Sequence, residues 1–342
     1  MTVVSAVAHP NIALVKYWGK RDERLILPVA GSLSMTLDTV ATQTTVRLGA
    51  ARGDVAEASA AGDFSENSDV FYLNGRLETG KAARQVSEFL DRVRKLSGSS
   101  APATVVSHND APTAAGLASS ASGFAALARA AAAAYGLDLS TRELSILARQ
   151  GSGSACRSVI DKFAVWHAGD SSETSFAEQV EAPDMRMIVC EISGAQKPVS
   201  SRVGMQLTRD TSPFWSAWAP STEQLLGEAL AACAADDFTR LGELTETHGL
   251  RMHALIMSAQ PPVRYLAPAS FAAYDRVAEL RASGVEAYAT ADAGPNVVAI
   301  ALPADAEKVA AALAEFGSVH IAAPGRGAYL TEAALEVPEV GE

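Results

Sequence analysis

Residues 121–134, Ala-Ser-Gly-Phe-Ala-Ala-Leu-Ala-Arg-Ala-Ala-Ala-Ala-Ala, constrain this chain more than any other stretch. Nine of the fourteen are alanine, the residue with the highest intrinsic helix propensity and no side-chain entropy to lose. Arg129 and the weak hydrophobicity of alanine make the stretch a poor membrane span. It predicts a helix over about Leu117–Tyr135, closed by Gly136 at the C′ position. A strand at Ala103–Ser107 and a loop of small residues, Pro112–Ser122, lead into it. Small residues let a backbone approach a ligand closely, and the first amides of a helix point outward. The helix dipole adds about half a positive charge there, so this strand–loop–helix unit is a ready anion site. The same residues also fit an ordinary capped helix.

Around that unit, strands and helices interleave. Val3–Ala8, Leu33–Leu37, Thr44–Leu48 and Phe163–His167 read as strands. Val70–Leu73 and Arg76-Leu77 flank Asn74-Gly75, a hairpin with a type I′ turn. That turn accounts for Gly75 better than a Walker A loop does, since Ala82 follows Lys81 where such a loop needs Ser or Thr. Ala83, Val86, Leu90 and Val93 predict an amphipathic helix over Thr79–Leu96. Ser140 and Glu143 form a capping box for another. The polar stretch Glu173–Asp184 reads as turns at a domain boundary. The expected division is therefore 1–183, 184–330 and a tail at 331–342. In the second half, Met187–Ile192, Glu286–Ala291, Asn296–Leu302 and Val319–Ala322 read as strands. Thr222–Ala235, Phe238–Met257, Phe271–Ser283 and Asp305–Phe316 read as helices. The N-terminal strands come in hairpins, which favours an α+β fold over a doubly wound parallel sheet.

A formal net charge of -11 argues against nucleic acid or an anionic membrane as partner. It leaves anionic small molecules open, because local cations dominate the field inside a cleft. Cys156, Cys190 and Cys233, without a CxxC, read as reduced thiols of a cytoplasmic protein. Met1–Pro10 has no basic, apolar leader pattern. His248 and His253 stand five apart, off a common helical face, and read as structural histidines.

Four further segments carry chemistry-bearing side chains. Asn11–Arg21 sets Tyr17 and Trp18 beside Lys16, Lys20 and Arg21, which suits an anionic ligand with an apolar body or an edge strand with solvated lysines. Gly151–Ser158 is a donor-rich turn in which the Arg157 fork could bind a carboxylate by two parallel hydrogen bonds. Ser201 and Arg202 repeat the hydroxyl-plus-guanidinium pairing, which also fits a polar turn. Asp292, in Asp292–Asn296 between two expected strands, could orient a hydroxyl proton, although Asp is common in turns.

Taken together, Asn11–Asp22, Ser32–Leu37, Pro112–Ser122, Gly151–Ser158, Ser200–Met205 and Asp292–Asn296 resemble, in order, the diphosphomevalonate decarboxylase family of the GHMP kinase superfamily. The resemblance implies a two-domain α+β fold: an N-terminal ribosomal-protein-like GHMP kinase domain that binds ATP, and a ferredoxin-like C-terminal domain. It implies ATP-dependent decarboxylation of mevalonate 5-diphosphate to isopentenyl diphosphate through phosphorylation of the 3-hydroxyl. A monophosphate-specific decarboxylase would use the same aspartate and arginine; a 3-hydroxy kinase without decarboxylation is the other alternative, and intact Asp292 and Arg157 argue against it. By resemblance, the catalytic residues are Asp292, Arg157 and Lys16, with Asn11 and Lys16 supporting Asp292. Asn11, Tyr17, Lys20, Ser152, Ser154, Arg157, Ser201 and Arg202 bind substrate. Ser107, Asn109, Pro112, Ala114, Ala115, Gly116, Leu117, Ala118, Ser119, Ser120 and Ser122 bind ATP, with Ser119 at Mg2+. The expected protein is a cytoplasmic homodimer whose partner is a phosphorylated small molecule, with neither nucleic acid nor membrane. Asp110-Ala111 and Gly31 depart from the family pattern, which commonly has Asn-Phe and a polar residue there.

Overall fold

The computed structural model describes residues 2–49, 68–110, 119–193 and 199–338. β1 (Val3–Ala8), β6 (Thr42–Leu48) and β9 (Ala103–Asn109) pair antiparallel at the centre of the first sheet. β7 (Val70–Leu73) runs parallel to β9 and turns back into β8 (Arg76–Leu77). Asn74 and Gly75 take φ 50° and 78° in that turn, as a type I′ hairpin requires. The opposite edge is β16 (Tyr329–Thr331), a strand from the far end of the chain paired with β1.

The alanine-rich stretch is α2 (Ser119–Ala134). Ala125, Ala126, Ala128, Ala130 and Ala131 are all fully buried. They pack with Val46 and Val105 of the sheet, with Val86, Phe89 and Leu90 of α1 (Lys81–Ser97), and with Leu144 and Leu147 of α3 (Thr141–Arg149). Methyl side chains let the helix lie close to all of them at crystal-like density. Gly136 closes the helix end at φ 74°, and the Ser140–Glu143 capping box starts α3.

The second sheet has the order β11-β10-β5-β2, all antiparallel: β2 (Asn11–Val15), β5 (Ser32–Thr36), β10 (Phe163–Trp166) and β11 (Ala177–Gln179). The third has the order β13-β14-β12-β15, also antiparallel: β12 (Arg186–Glu191), β13 (Ala287–Thr290), β14 (Val297–Ala301) and β15 (Ser318–Ala322). That strand order, with helices after its first and third strands, is the ferredoxin-like arrangement. The stretch after β12 holds α5 (Ser201–Thr211), α6 (Trp215–Ala234), α7 (Phe238–Met257) and α8 (Pro268–Ala282); α9 (Ala306–Leu313) precedes β15. α4 (Ala155–Ser158) is a single turn after α3. Leu14, Leu33 and Met35 of the second sheet share one core with Met187, Val189 and Ile300 of the third and with Leu226 and Leu241 of α6 and α7. That shared core brings the end of β2 to the end of β13.

Three elements differ from the sequence expectation. Residues 173–184 contain β11, a three-residue edge strand too short for alternation to register. Ser200 is not in a free turn: its Oγ accepts from Val203 N–H at 3.3 Å and caps α5. α6 begins at Trp215, seven residues before the expected start, and carries Pro220 inside it, where proline normally argues for a break.

Candidate active site

Arg157 is a buried, anchored cation. It lies on α4 with 3% of its surface exposed. Its Nε donates to Asn11 Oδ1 at 3.0 Å and its Nη1 to Ser32 Oγ at 2.6 Å. Asn11 is fixed in turn: its Nδ2 donates to Ser154 O at 3.0 Å and to Ser158 Oγ at 2.8 Å. Asn11 thus braces Arg157, not Asp292. Nε and Nη1 are held by neutral partners, and the residue lines the cleft; burial lowers the guanidinium below its ordinary value, and Cys156, Asp292 and Tyr17 oppose that shift.

Lys16 follows β2, and β2 is an edge strand, as the sequence allows. Its ammonium is not solvated: Lys16 is 1% exposed. Nζ donates to Asp292 Oδ1 and to Ala13 O, both at 2.8 Å. Burial pushes the Lys16 ammonium below the ordinary lysine value; Asp292 opposes that shift and the charge of Arg157 adds to it. Asp292 is the more open member, its side chain 39% exposed. One carboxylate is therefore held by a buried cation while keeping a face toward the cleft.

The cleft has about 330 Å³ of space. Asn11, Lys16, Tyr17, Lys20, Ser120, Ser152, Ser154, Arg157, Ser201, Arg202 and Asp292 all line it. Four of these are cations and one is an acid, so the local field is positive in a chain of net charge -11. Two glycines shape its floor. A Cβ on Gly153 would come within 2.8 Å of the Tyr17 hydroxyl, and one on Gly151 would enter the Phe124 ring. The Tyr17 hydroxyl is buried without a hydrogen-bond partner among the described residues. Lys20 Nζ meets Glu23 Oε2 at 2.9 Å at the rim.

A second, more apolar cavity of about 230 Å³ adjoins the first and shares Gln85, Ser120 and Phe124 with it. Ser107 and Asn109 line it, as do Phe71, Val86 and Leu127. Ser107 Oγ and Thr44 Oγ1 lie 2.6 Å apart. Ser122 is buried, and its Oγ lies 2.7 Å from Thr42 Oγ1, tying α2 to the sheet. Ser120 Oγ lies 3.4 Å from Ser152 Oγ, which joins the helix start to the glycine turn. Pro112, Ala114, Ala115, Gly116, Leu117 and Ala118 fall outside the described residues, as does Ala111. Ser119 opens α2, and its side chain is likewise outside the described part. Among the described residues no three His, Cys, Asp or Glu side chains gather as a metal site.

Sequence reading missed one contributor. Ser32 is an Arg157 partner, hidden in a strand as an ordinary alternating residue. His248 and His253 on α7 are buried, as structural histidines are, and both meet backbone near the site. Lys16 N–H donates to His248 Nδ1 at 2.9 Å, and His253 Nε2 lies 3.3 Å from Ala291 O. Gly31, a departure from the family pattern, has a local reason. Its N–H donates to Glu223 Oε1 at 2.6 Å, and a Cβ there would meet Leu226 at 2.5 Å.

A ferredoxin-like half joined through one core to an α+β half, with a cation-lined cleft at the junction, defines a phosphate-handling enzyme of the GHMP kinase fold. Residues 8–177 match the family described as diphosphomevalonate decarboxylase-like N-terminal domain, and residues 187–328 the mevalonate 5-diphosphate decarboxylase C-terminal domain. The chain belongs to the diphosphomevalonate decarboxylase family. It is 38% identical to the diphosphomevalonate decarboxylase of Aspergillus fumigatus over 90% of this chain and 78% of that protein. The mevalonate diphosphate decarboxylase of Staphylococcus aureus superposes with a TM-score of 0.88 at 40% identity, covering 97% of this chain and 98% of the other. MDDEF in complex with MVAPP, AMPPCP and magnesium gives 0.87 at 44% identity, over 97% and 99%.

Proposed function

We propose that this protein catalyses ATP-dependent decarboxylation of mevalonate 5-diphosphate to isopentenyl diphosphate, ADP, phosphate and carbon dioxide. One observation carries the reading: Asp292, Lys16 and Arg157 converge in a cleft with the hydroxyl and cation groups expected to grip a phosphorylated acid. Its complexed relative, holding MVAPP, AMPPCP and magnesium, supports the same ligands here. ATP supplies the phosphoryl group, and Mg2+ neutralises charge on the phosphate oxygens. Asp292 takes the proton of the tertiary 3-hydroxyl as the oxygen attacks phosphorus. Lys16 holds Asp292 in place through its Nζ–Oδ1 contact. Arg157 holds the substrate carboxylate, orienting the carbon–carbon bond whose electrons form the new double bond as phosphate departs. Tyr17, Lys20, Ser152, Ser154, Ser201 and Arg202 hold the diphosphate and the substrate chain. The helix start at α2, with Ser119 near Mg2+ and Ser120 beside it, faces the nucleotide. The apolar cavity beside Ser107 and Asn109 takes the base, and Ser122 secures the helix behind it.

The proposed division is 1–183, 184–330 and a tail at 331–342; β16 crosses the second boundary to pair with β1 of the first sheet, and the two family matches support a boundary between 177 and 187. Among the described residues no helix is long and apolar enough to cross a membrane. All three cysteines are unpaired and buried, which supports a reducing, cytoplasmic setting. A homodimer is the proposed assembly, checked by analytical ultracentrifugation. Mass spectrometry of products from ATP with mevalonate 5-phosphate or 5-diphosphate tests the activity. Isopentenyl diphosphate from the diphosphate is expected. Isopentenyl phosphate alone, or a 3-phosphorylated acid without carbon dioxide release, would replace this reading.

A further inference from the structure

Lys16 and Asp292 follow strands of different sheets, so their ion pair depends on how the two sheets are held. One helix reaches the backbone at Lys16 and beside Asp292. α7 packs against both β2 and β13, and an imidazole makes each of these two hydrogen bonds. Lys16 N–H donates to His248 Nδ1 at 2.9 Å, and His253 Nε2 lies 3.3 Å from the carbonyl of Ala291, the residue before Asp292. A five-residue step turns a helix by about 140° beyond one full revolution. The two rings therefore leave α7 on different faces, and this spacing lets one helix reach two sheets.

The partners fix the tautomers. Nδ1 of His248 accepts an N–H, so its proton sits on Nε2, which donates to Thr222 Oγ1 of α6 at 3.1 Å. The Ala291 carbonyl only accepts, so His253 carries its proton on Nε2. Both rings are buried, at 1% and 2% exposure, and both are neutral where they sit. They hold the backbone beside the buried Lys16 ammonium without adding a second charge to it. The Trp218 ring lies 4.9 Å from the His248 ring and restricts its rotation.

We propose that His248 and His253 are positioning residues for the reaction, acting as a neutral two-imidazole brace on α7 that sets the Lys16–Asp292 ion pair. The proposal rests on Asp292 being the proton acceptor. The test uses the full chain with His248→Leu, His253→Leu, and the conservative His248→Asn and His253→Gln, whose amides replace Nδ1 and Nε2. Thr222→Val loosens the His248 tautomer without touching Lys16, and serves where a leucine variant does not fold. Crystal structures give the Lys16 Nζ–Asp292 Oδ1 distance, and steady-state kinetics give kcat and KM. In the leucine variants the pair opens and kcat falls about 10–100-fold, the size expected for a displacement of up to 1 Å. KM for ATP and the phosphorylated acid stays within about threefold, because ground-state binding is untouched. The Asn and Gln variants recover most of kcat. A folded leucine or valine variant with the pair still at its present length overturns the brace, as does a kcat loss that Asn and Gln fail to restore. A pair that opens with kcat unchanged overturns the role of Asp292 instead.

Discussion

The ammonium of Lys16 lies 2.8 Å from Asp292 Oδ1, although the two residues stand 276 positions apart in the chain. The first is 1% exposed and the second 39%, so the cation is buried behind the carboxylate and the carboxylate faces the cleft. This order matters. A solvated lysine would exchange Asp292 for water, whereas this buried one has, among the described residues, Asp292 and the Ala13 carbonyl to satisfy it.

Asp292→Asn should keep ATP affinity and lose kcat by about 10²–10⁴-fold, the contribution of a positioned general base. Rapid-quench turnover with an equilibrium nucleotide titration checks both halves. A variant within tenfold of the parent kcat would remove Asp292 from the role.

Arg157→Met should lower kcat/KM for the phosphorylated acid by about 10–100-fold, since a charge-assisted hydrogen bond contributes roughly 1.5–3 kcal/mol. It also leaves Asn11 Oδ1 and Ser32 Oγ without their donor. Circular dichroism should still report a folded chain, with a lower unfolding midpoint. Unchanged kcat/KM would show that this guanidinium does not hold the carboxylate.

Gly153→Ala sets a methyl 2.8 Å from the Tyr17 hydroxyl. The ring must shift, which costs about 1–3 kcal/mol in a packed site. A raised KM for the phosphorylated acid, with KM for ATP little changed, is the expected split. Equal effects on both substrates would place Tyr17 away from that ligand.

Burial holds His248 at about 3 and His253 at about 4, against the ordinary 6.5; Lys16 adds to both shifts, Arg251 adds to the first, and Asp292 opposes the second. Both folded values are depressed. Below pH 6.5 the unfolded chain takes up protons that the folded chain refuses, so stability is complete above that pH and falls as pH drops toward 4 and 3. Each histidine should lose about 2 kcal/mol of its contribution by pH 5. Urea unfolding at pH 7 and pH 5 checks the sign: His253→Gln should depend on pH less steeply than the parent. Equal slopes would mean that His253 is accessible to protons in the folded state.

Much of the architecture was legible because its signals are local. The alanine run, the Asn74-Gly75 turn and the Ser140–Glu143 box each encode a backbone state within a few residues, and the structure has each of them. β11 and α5 were not legible. A three-residue edge strand gains its identity only from the β10 neighbour it pairs with, and the Ser200 cap resembles any polar turn until Val203 N–H is seen to use it.

The candidate site divides the same way. Its ingredients, an aspartate, an arginine and lysines among small residues, stood in the sequence at Asp292, Arg157, Lys16 and Lys20. Their partnerships did not. Nothing in the order of residues says that Asn11 and Ser32 would hold Arg157, or that one helix would reach Lys16 with His248 and Ala291 with His253. The sequence by itself determined the local elements, the positive inventory of the cleft and the family. The tertiary structure alone decided which buried charge meets which, because a hydrogen bond depends on distances of a few tenths of an ångström between strands far apart in the chain.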